Sequence, residues 1–221
     1  GLILTQLISI LKGSPVTNTM LEVATSSNLW VNLFIMVLCA PVAEELIFRK
    51  LLIDRLAQYG EGVAVLFSGL MFGLFHGNLN QFVYAFVLGL CFGFIYVKTG
   101  NIRYTIGLHM LVNFLGSVLG VAILKWLGDD FLSIASDPAG MMSYMTGNFG
   151  KLIVYFIYIF LLLGVAIAGI ILFIVNLKKI RFLPGMNTLP KGKRFSTTVL
   201  NVGMALYMIV WIVIIIVQLL Q

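Results

Sequence analysis

The sequence predicts an all-α fold, a polytopic bundle of transmembrane helices with about six complete spans and a truncated first one. Three observations predict it. Hydrophobic residues make up 61% of the 221 positions and charged residues only 10%, with a mean hydropathy of +1.07, values foreign to a water-soluble domain. Long runs such as Gly62 to Val97 and Tyr104 to Leu124 carry no charge at all. The basic residues gather at the ends of such runs, where the positive-inside rule puts them, so the net charge of +6 orients a membrane protein and no nucleic-acid partner is expected. Cys39 and Cys91 both lie inside apolar runs and read as small buried residues, not as a disulfide or metal framework.

In chain order, Leu2 to Leu11 reads as the end of an apolar helix whose front precedes Gly1, and nothing in it has the make-up of a signal peptide. A Lys12 to Ser27 loop rich in Ser, Thr and Asn follows. The next run opens at Leu29, is interrupted by carboxylates after Ala43, and leaves the membrane at Lys50, Asp54 and Arg55, with Pro41 kinking it. As one helix, Gly62 to Val97 would be roughly 54 Å long, against about 30 Å of bilayer core, so it must fold back. Gly77-Asn78-Leu79-Asn80-Gln81 is the turn-forming interval, which places helices at about 62–77 and 81–98. A span over 104–124, a loop carrying Asp129, Asp130 and Asp137, and spans over 152–177 and 199–220 complete the chain.

The densest basic loop holds Lys178, Lys179, Arg181, Lys191, Lys193 and Arg194, and its charge assigns it to the cytoplasm. Threading outward from it puts Lys50, Arg55, Lys98 and Arg103 on the same side, and the Asn78 turn and the aspartate loop on the other. Glycines four apart, Gly69, Gly73 and Gly77, then Gly89 and Gly93, then Gly116 and Gly120, are expected to let helix backbones approach closely. No repeat divides the chain, so 1–221 is read as one integral-membrane domain with a motif core at 29–126.

Within this apolar scaffold, ionisable groups at membrane depth are functional candidates. Glu45 and Arg49 are four positions apart and can pair on one helix face, which leaves Glu44, rotated by about 100°, as the carboxylate free for proton chemistry. His76 follows in the next span, and His109 and Asn113 share one face of a later one. Counting 1.5 Å per residue from the basic ends, Glu44 lies roughly 15–18 Å deep, His76 roughly 20 Å, His109 roughly 9 Å and Asn113 roughly 15 Å, which is one layer. A carboxylate and a histidine can activate water, and a histidine and an amide can donate to the oxyanion formed at an amide carbonyl. No serine or cysteine stands in a nucleophile motif, so attack by water fits better than an acyl-enzyme.

Glu44-Glu45-x-x-x-Arg49, Phe72-x-x-x-His76 and His109-x-x-x-Asn113, in that order on successive hydrophobic helices, resemble the motifs of the CAAX prenyl endopeptidase and bacteriocin-processing (CPBP, or Abi) membrane proteases. The resemblance implies an intramembrane endopeptidase in which Glu44 and His76 activate water and His109 with Asn113 form the oxyanion hole. Glu45 and Arg49 would then be supporting residues and Phe72 would shape the pocket. It also implies a multi-pass protein of a bacterial plasma membrane, with the lipid bilayer and a peptide or protein carrying a membrane-proximal segment as partners. Pheromone or bacteriocin maturation is among the roles it allows, and the depths above open the site toward the cytoplasmic side.

Members of that family are described both as metal-dependent and as glutamate-dependent. Glu44, His76 and His109 could supply three zinc ligands. Asn113 is a poor zinc ligand and a good oxyanion donor, and the chain lacks His-Glu-x-x-His, so the metal-free version is favoured and no cofactor is expected. The alternatives are a non-catalytic membrane scaffold that binds a partner, and a proton-coupled transporter, for which inverted repeats would be the signature.

Overall fold

The computed structural model describes residues 2–13, 16, 19–128, 131–134, 137–187, 190–193, 196–197 and 200–220. Asp129, Asp130, Arg194 and Val199, named above, lie outside them. Regular structure among the described residues is all helical, with no strand among them. Helix α1 spans Leu2–Lys12, α2 Thr19–Ser26, α3 Leu29–Tyr59 and α4 Glu61–Phe75. Helix α5 spans Leu79–Thr99, α6 Ile102–Leu127, α7 Phe131–Ile134, α8 Pro138–Asn176 and α9 Val202–Leu220.

Helices α3, α5, α6, α8 and α9 are each long and apolar enough to cross a bilayer. Helix α4 has 15 residues, roughly 22 Å, which is short of a full hydrocarbon core. The six complete spans expected are thus five long helices and one shorter apolar one. Along α8 the side chains of Phe160, Val165 and Leu172 are 67%, 66% and 64% exposed, which a chain surrounded by water would not tolerate and a chain surrounded by lipid requires. This is an integral membrane protein.

Two local features depart from the sequence expectation. Helix α2 forms inside the stretch read as a loop, because Ala24 finds a buried position there and its carbonyl accepts from Asn32 Nδ2 at 2.8 Å. Pro41 does not interrupt α3. The turn before it, Asn32–Cys39, widens to π-helical geometry, and so does Leu46–Ile53 after the carboxylates; a widened turn is one way for a helix to carry a ring that blocks a normal backbone hydrogen bond.

The chain forms two compact units, Gly1–Glu22, Leu38–Met110 and Phe182–Gln221 in one, Val23–Val37 and Leu111–Arg181 in the other. In the first, α4 and α5 form an antiparallel hairpin turned at Gly77, whose φ of 64° is the left-handed conformation glycine adopts without strain. Asn78 caps α5 by accepting from Gln81 N–H at 2.8 Å. The glycine stripe sets the approach of the two helices, since a Cβ on Gly89 would sit 2.9 Å from Gly69 Cα and one on Gly73 3.1 Å from the Phe82 carbonyl. Gly89→Ala is therefore expected to force the helices apart and to cost about 1–3 kcal/mol, read as a lowered thermal midpoint in detergent. Gly107→Ala, with nothing within 4 Å of the added carbon, leaves the midpoint in place. Equal midpoints for the two variants would contradict this packing.

Polar ties close the same unit. Tyr96 donates to Asp54 Oδ1 at 2.7 Å, Tyr207 of α9 donates to the Met71 carbonyl of α4 at 2.8 Å, and Lys98 pairs with Glu61. In the second unit Asn32 Nδ2 donates to the carbonyls of Ala24 and Ser117, while Leu127, Phe131 and Leu152 form an apolar cluster.

Candidate active site

Most of the polar residues singled out in the sequence belong to the first unit, carried by α3, the end of α4 and the first half of α6. Glu45 and Arg49 are both 0% exposed. They pair as their spacing predicts, with Arg49 Nε donating to Glu45 Oε2 at 2.9 Å and Nη2 donating to Oε1 at 3.3 Å. An ion pair this deep persists only when the remaining donors and faces are also satisfied. Here Arg49 Nη1 donates to Ser68 Oγ, and Ser68 donates to the Phe48 carbonyl at 3.0 Å. The guanidinium lies 5.1 Å from the Phe72 ring centre and 5.9 Å from that of Phe92, so cation–π contacts close its faces.

His109 is 3% exposed and stands between the two carboxylates. Its Nδ1 is 3.1 Å from Glu45 Oε1, an oxygen that can only accept while Glu45 is paired with Arg49, so Nδ1 carries the proton. The other ring nitrogen, Nε2, is 3.7 Å from Glu44 Oε2. That separation is too long for a direct hydrogen bond and suits a bridge through one water. The Glu44 side chain is 17% exposed, and its buried Oε2 has no hydrogen-bond partner among the described residues. The three charges thus separate as the spacing implied, into a sealed pair and one available carboxylate.

His76 closes α4, where its Nδ1 donates to the Phe72 carbonyl at 2.8 Å. In the neutral ring that bond leaves Nε2 as the lone-pair nitrogen. The Phe72 ring is packed edge-on against both histidines, 4.9 Å from His76 and 5.6 Å from His109. An apolar cavity of about 290 Å³, lined by Ile47, Phe48, Leu51, Leu52, Met71, Phe75 and Tyr207, shares Phe48 and Phe75 with this aromatic shell.

Asn113 takes a different partner from the histidine one turn before it. It belongs to the second unit, where its Nδ2 donates to the Met36 carbonyl at 2.8 Å and its own carbonyl accepts from Ser117 at 2.6 Å. One amide N–H is therefore committed. For a metal, the test is whether three ligating side chains gather, and among the described residues no group of three His, Cys, Asp or Glu does so. Glu44 and His109 approach one another, and a histidine whose Nδ1–H is held by a carboxylate can still ligate through Nε2, but no third ligating side chain gathers with them among the described residues.

Ser68 and Thr105 were not singled out in the sequence, and both are 0% exposed. Ser68 stands one turn before Phe72, and Thr105, whose hydroxyl donates to the Ile102 carbonyl at 3.0 Å, stands one turn before His109. The signal was present as a four-residue spacing, Ser68-Phe72-His76 and Thr105-His109-Asn113, which extends each motif back by one helical turn along the same face.

Residues 26–115 match the family model described as type II CAAX prenyl endopeptidase Rce1-like. The "Putative membrane peptidase YdiL" of Bacillus subtilis (strain 168) is 32% identical over 74 residues, which is 33% of this chain and 30% of that protein. The "Membrane-embedded CAAX protease MroQ" of Staphylococcus aureus (strain USA300) is 26% identical over 152 residues, 66% of this chain and 59% of that protein. The chain thus spans less than two thirds of the length of either relative. No solved structure matches it.

Proposed function

We infer that this chain, whose residues 26–115 are Rce1-like and mark it as a member of the type II CAAX prenyl endopeptidase family, is a membrane endopeptidase that cleaves a peptide bond with activated water. The observation that carries this reading is Glu44, a partly exposed carboxylate whose Oε2 is unpartnered and lies 3.7 Å from His109 Nε2, beside a fully buried ion pair.

In the proposed reaction a water held by Glu44 and His76 Nε2 gives a proton to Glu44 as its oxygen bonds to the amide carbon. The carbonyl oxygen becomes an oxyanion. It is stabilised in the hole for which the family resemblance names His109 and Asn113. Glu44 then returns the proton to the departing nitrogen as the C–N bond breaks, giving a carboxylic acid and an amine, which exchange a proton to become carboxylate and ammonium. Glu45 and Arg49 hold His109 in register, and Phe72 shapes the pocket between the histidines. The substrate is a peptide or protein with a membrane-proximal segment, met from the cytoplasmic side of a bacterial plasma membrane, the side to which Lys50, Arg55, Lys98 and Arg103 belong by the charge rule. Neither metal nor other cofactor takes part.

The test is incubation of the purified chain in bilayers with a library of membrane-proximal peptides, with and without a chelator. Cleavage that persists in chelator is expected. Activity lost with chelator and regained with zinc would replace the water-and-glutamate mechanism by a metal one, and absence of any cleavage would favour the scaffold reading.

A further inference from the structure

We propose that Ser68 is a positioning residue for this site, holding Arg49 so that Glu45 keeps His109 aimed at Glu44; the inference rests on the endopeptidase reading above. The Ser68 hydroxyl is committed in one direction, because its proton goes to the Phe48 carbonyl at 3.0 Å. Its lone pairs are thereby presented to Arg49 Nη1, the guanidinium corner that Glu45 does not use. Without that oxygen, the corner would face apolar surroundings, with aromatic rings at 5.1 and 5.9 Å, and an unpaired buried donor is costly enough to drive the guanidinium elsewhere.

Movement of Arg49 cannot stay local. Glu45 Oε1 accepts both from Arg49 Nη2 at 3.3 Å and from His109 Nδ1 at 3.1 Å, so a shift of the guanidinium rotates the carboxylate and releases the imidazole. The far nitrogen of that ring is the one 3.7 Å from Glu44. Ser68, Arg49, Glu45 and His109 therefore form one buried chain that ends on the available carboxylate. Its first member comes from the same helix face as Phe72 and His76, which couples the placement of both histidines.

Two pairs of variants isolate the hydroxyl, Ser68→Ala against wild type, and Ser68→Thr against the isosteric Ser68→Val. Each is assayed as the whole chain in bilayers with an internally quenched peptide that the wild type cleaves. Loss of the oxygen is expected to lower kcat roughly tenfold to hundredfold, the scale of a misplaced catalytic group, with KM changed by no more than about twofold. Ser68→Thr is expected to run at least roughly tenfold faster than Ser68→Val. A second readout does not depend on cleavage. The chain has two histidines, so nitrogen NMR of histidine-labelled protein resolves both, and Ser68→Ala is expected to move the His109 Nδ1 resonance more than that of His76. Full kcat in Ser68→Ala, equal rates for Ser68→Thr and Ser68→Val, or an unmoved His109 signal would each overturn the proposal. Glu44→Gln, run in parallel, separates the two ideas: undiminished cleavage there removes the endopeptidase mechanism, while the His109 signal still decides what Ser68 does.

Discussion

Glu44→Gln is expected to lower peptide cleavage by about two to four orders of magnitude, the usual contribution of a positioned general base, while leaving the fold almost untouched. Both halves of that expectation come from one environment. Glu44 Oε2 makes no hydrogen bond among the described residues, so an amide in its place orphans no donor. The side chain is 17% exposed, so an amide in that position is not stranded in a sealed interior. What is lost is the ability to take a proton from the attacking water. Initial cleavage rates and the thermal midpoint, measured on the same detergent-solubilised sample, check both halves. A rate within a few-fold of wild type would end the mechanism, and a collapse of the midpoint would show that Glu44 is structural.

Arg49→Met is expected to have the opposite balance, a large loss of stability that takes activity with it. It leaves Glu45, 0% exposed, as a buried carboxylate stripped of its arginine countercharge. Breaking one side of a buried ion pair typically costs about 3–5 kcal/mol. Replacing both partners is milder, because no uncompensated charge remains. Glu45→Leu combined with Arg49→Met should therefore unfold at a higher temperature than Arg49→Met alone and still fail to cleave, since His109 Nδ1 would have lost its acceptor. Thermal unfolding of the single and double variants, followed by the peptide assay, tests this order. A double variant less stable than the single would show that the pair matters to the fold for some reason other than its charge.

The contrast between these neighbours marks how far local reading reaches. Glu45 and Arg49 were legible as a pair because one helix sets the geometry between positions four apart, whatever surrounds it. The same rule isolated Glu44. The membrane class and the helices were legible for a related reason, since uncharged runs of this length leave no other way to satisfy the backbone in lipid. Their ends were less so, as α4 stops at Phe75 and α8 begins at Pro138 with a kink at Asn148, just before the expected start at residue 152.

Contacts between helices were not legible. Spacing alone put His109 and Asn113 on one face, but it did not show that His109 turns its Nδ1 to Glu45 or that Asn113 gives an N–H to the Met36 carbonyl. Ser68 and Thr105 passed as ordinary hydroxyls in apolar helices, because only burial distinguishes them. From its own sequence this protein determined that it is a helical membrane protein with a sealed Glu45–Arg49 pair and a spare Glu44. Which side chain meets that carboxylate was decided by the placement of α6 beside α3, which sets His109 Nε2 3.7 Å from Glu44, and by the rotation each helix adopts there, quantities that depend on packing across the unit and that no run of residues encodes by itself.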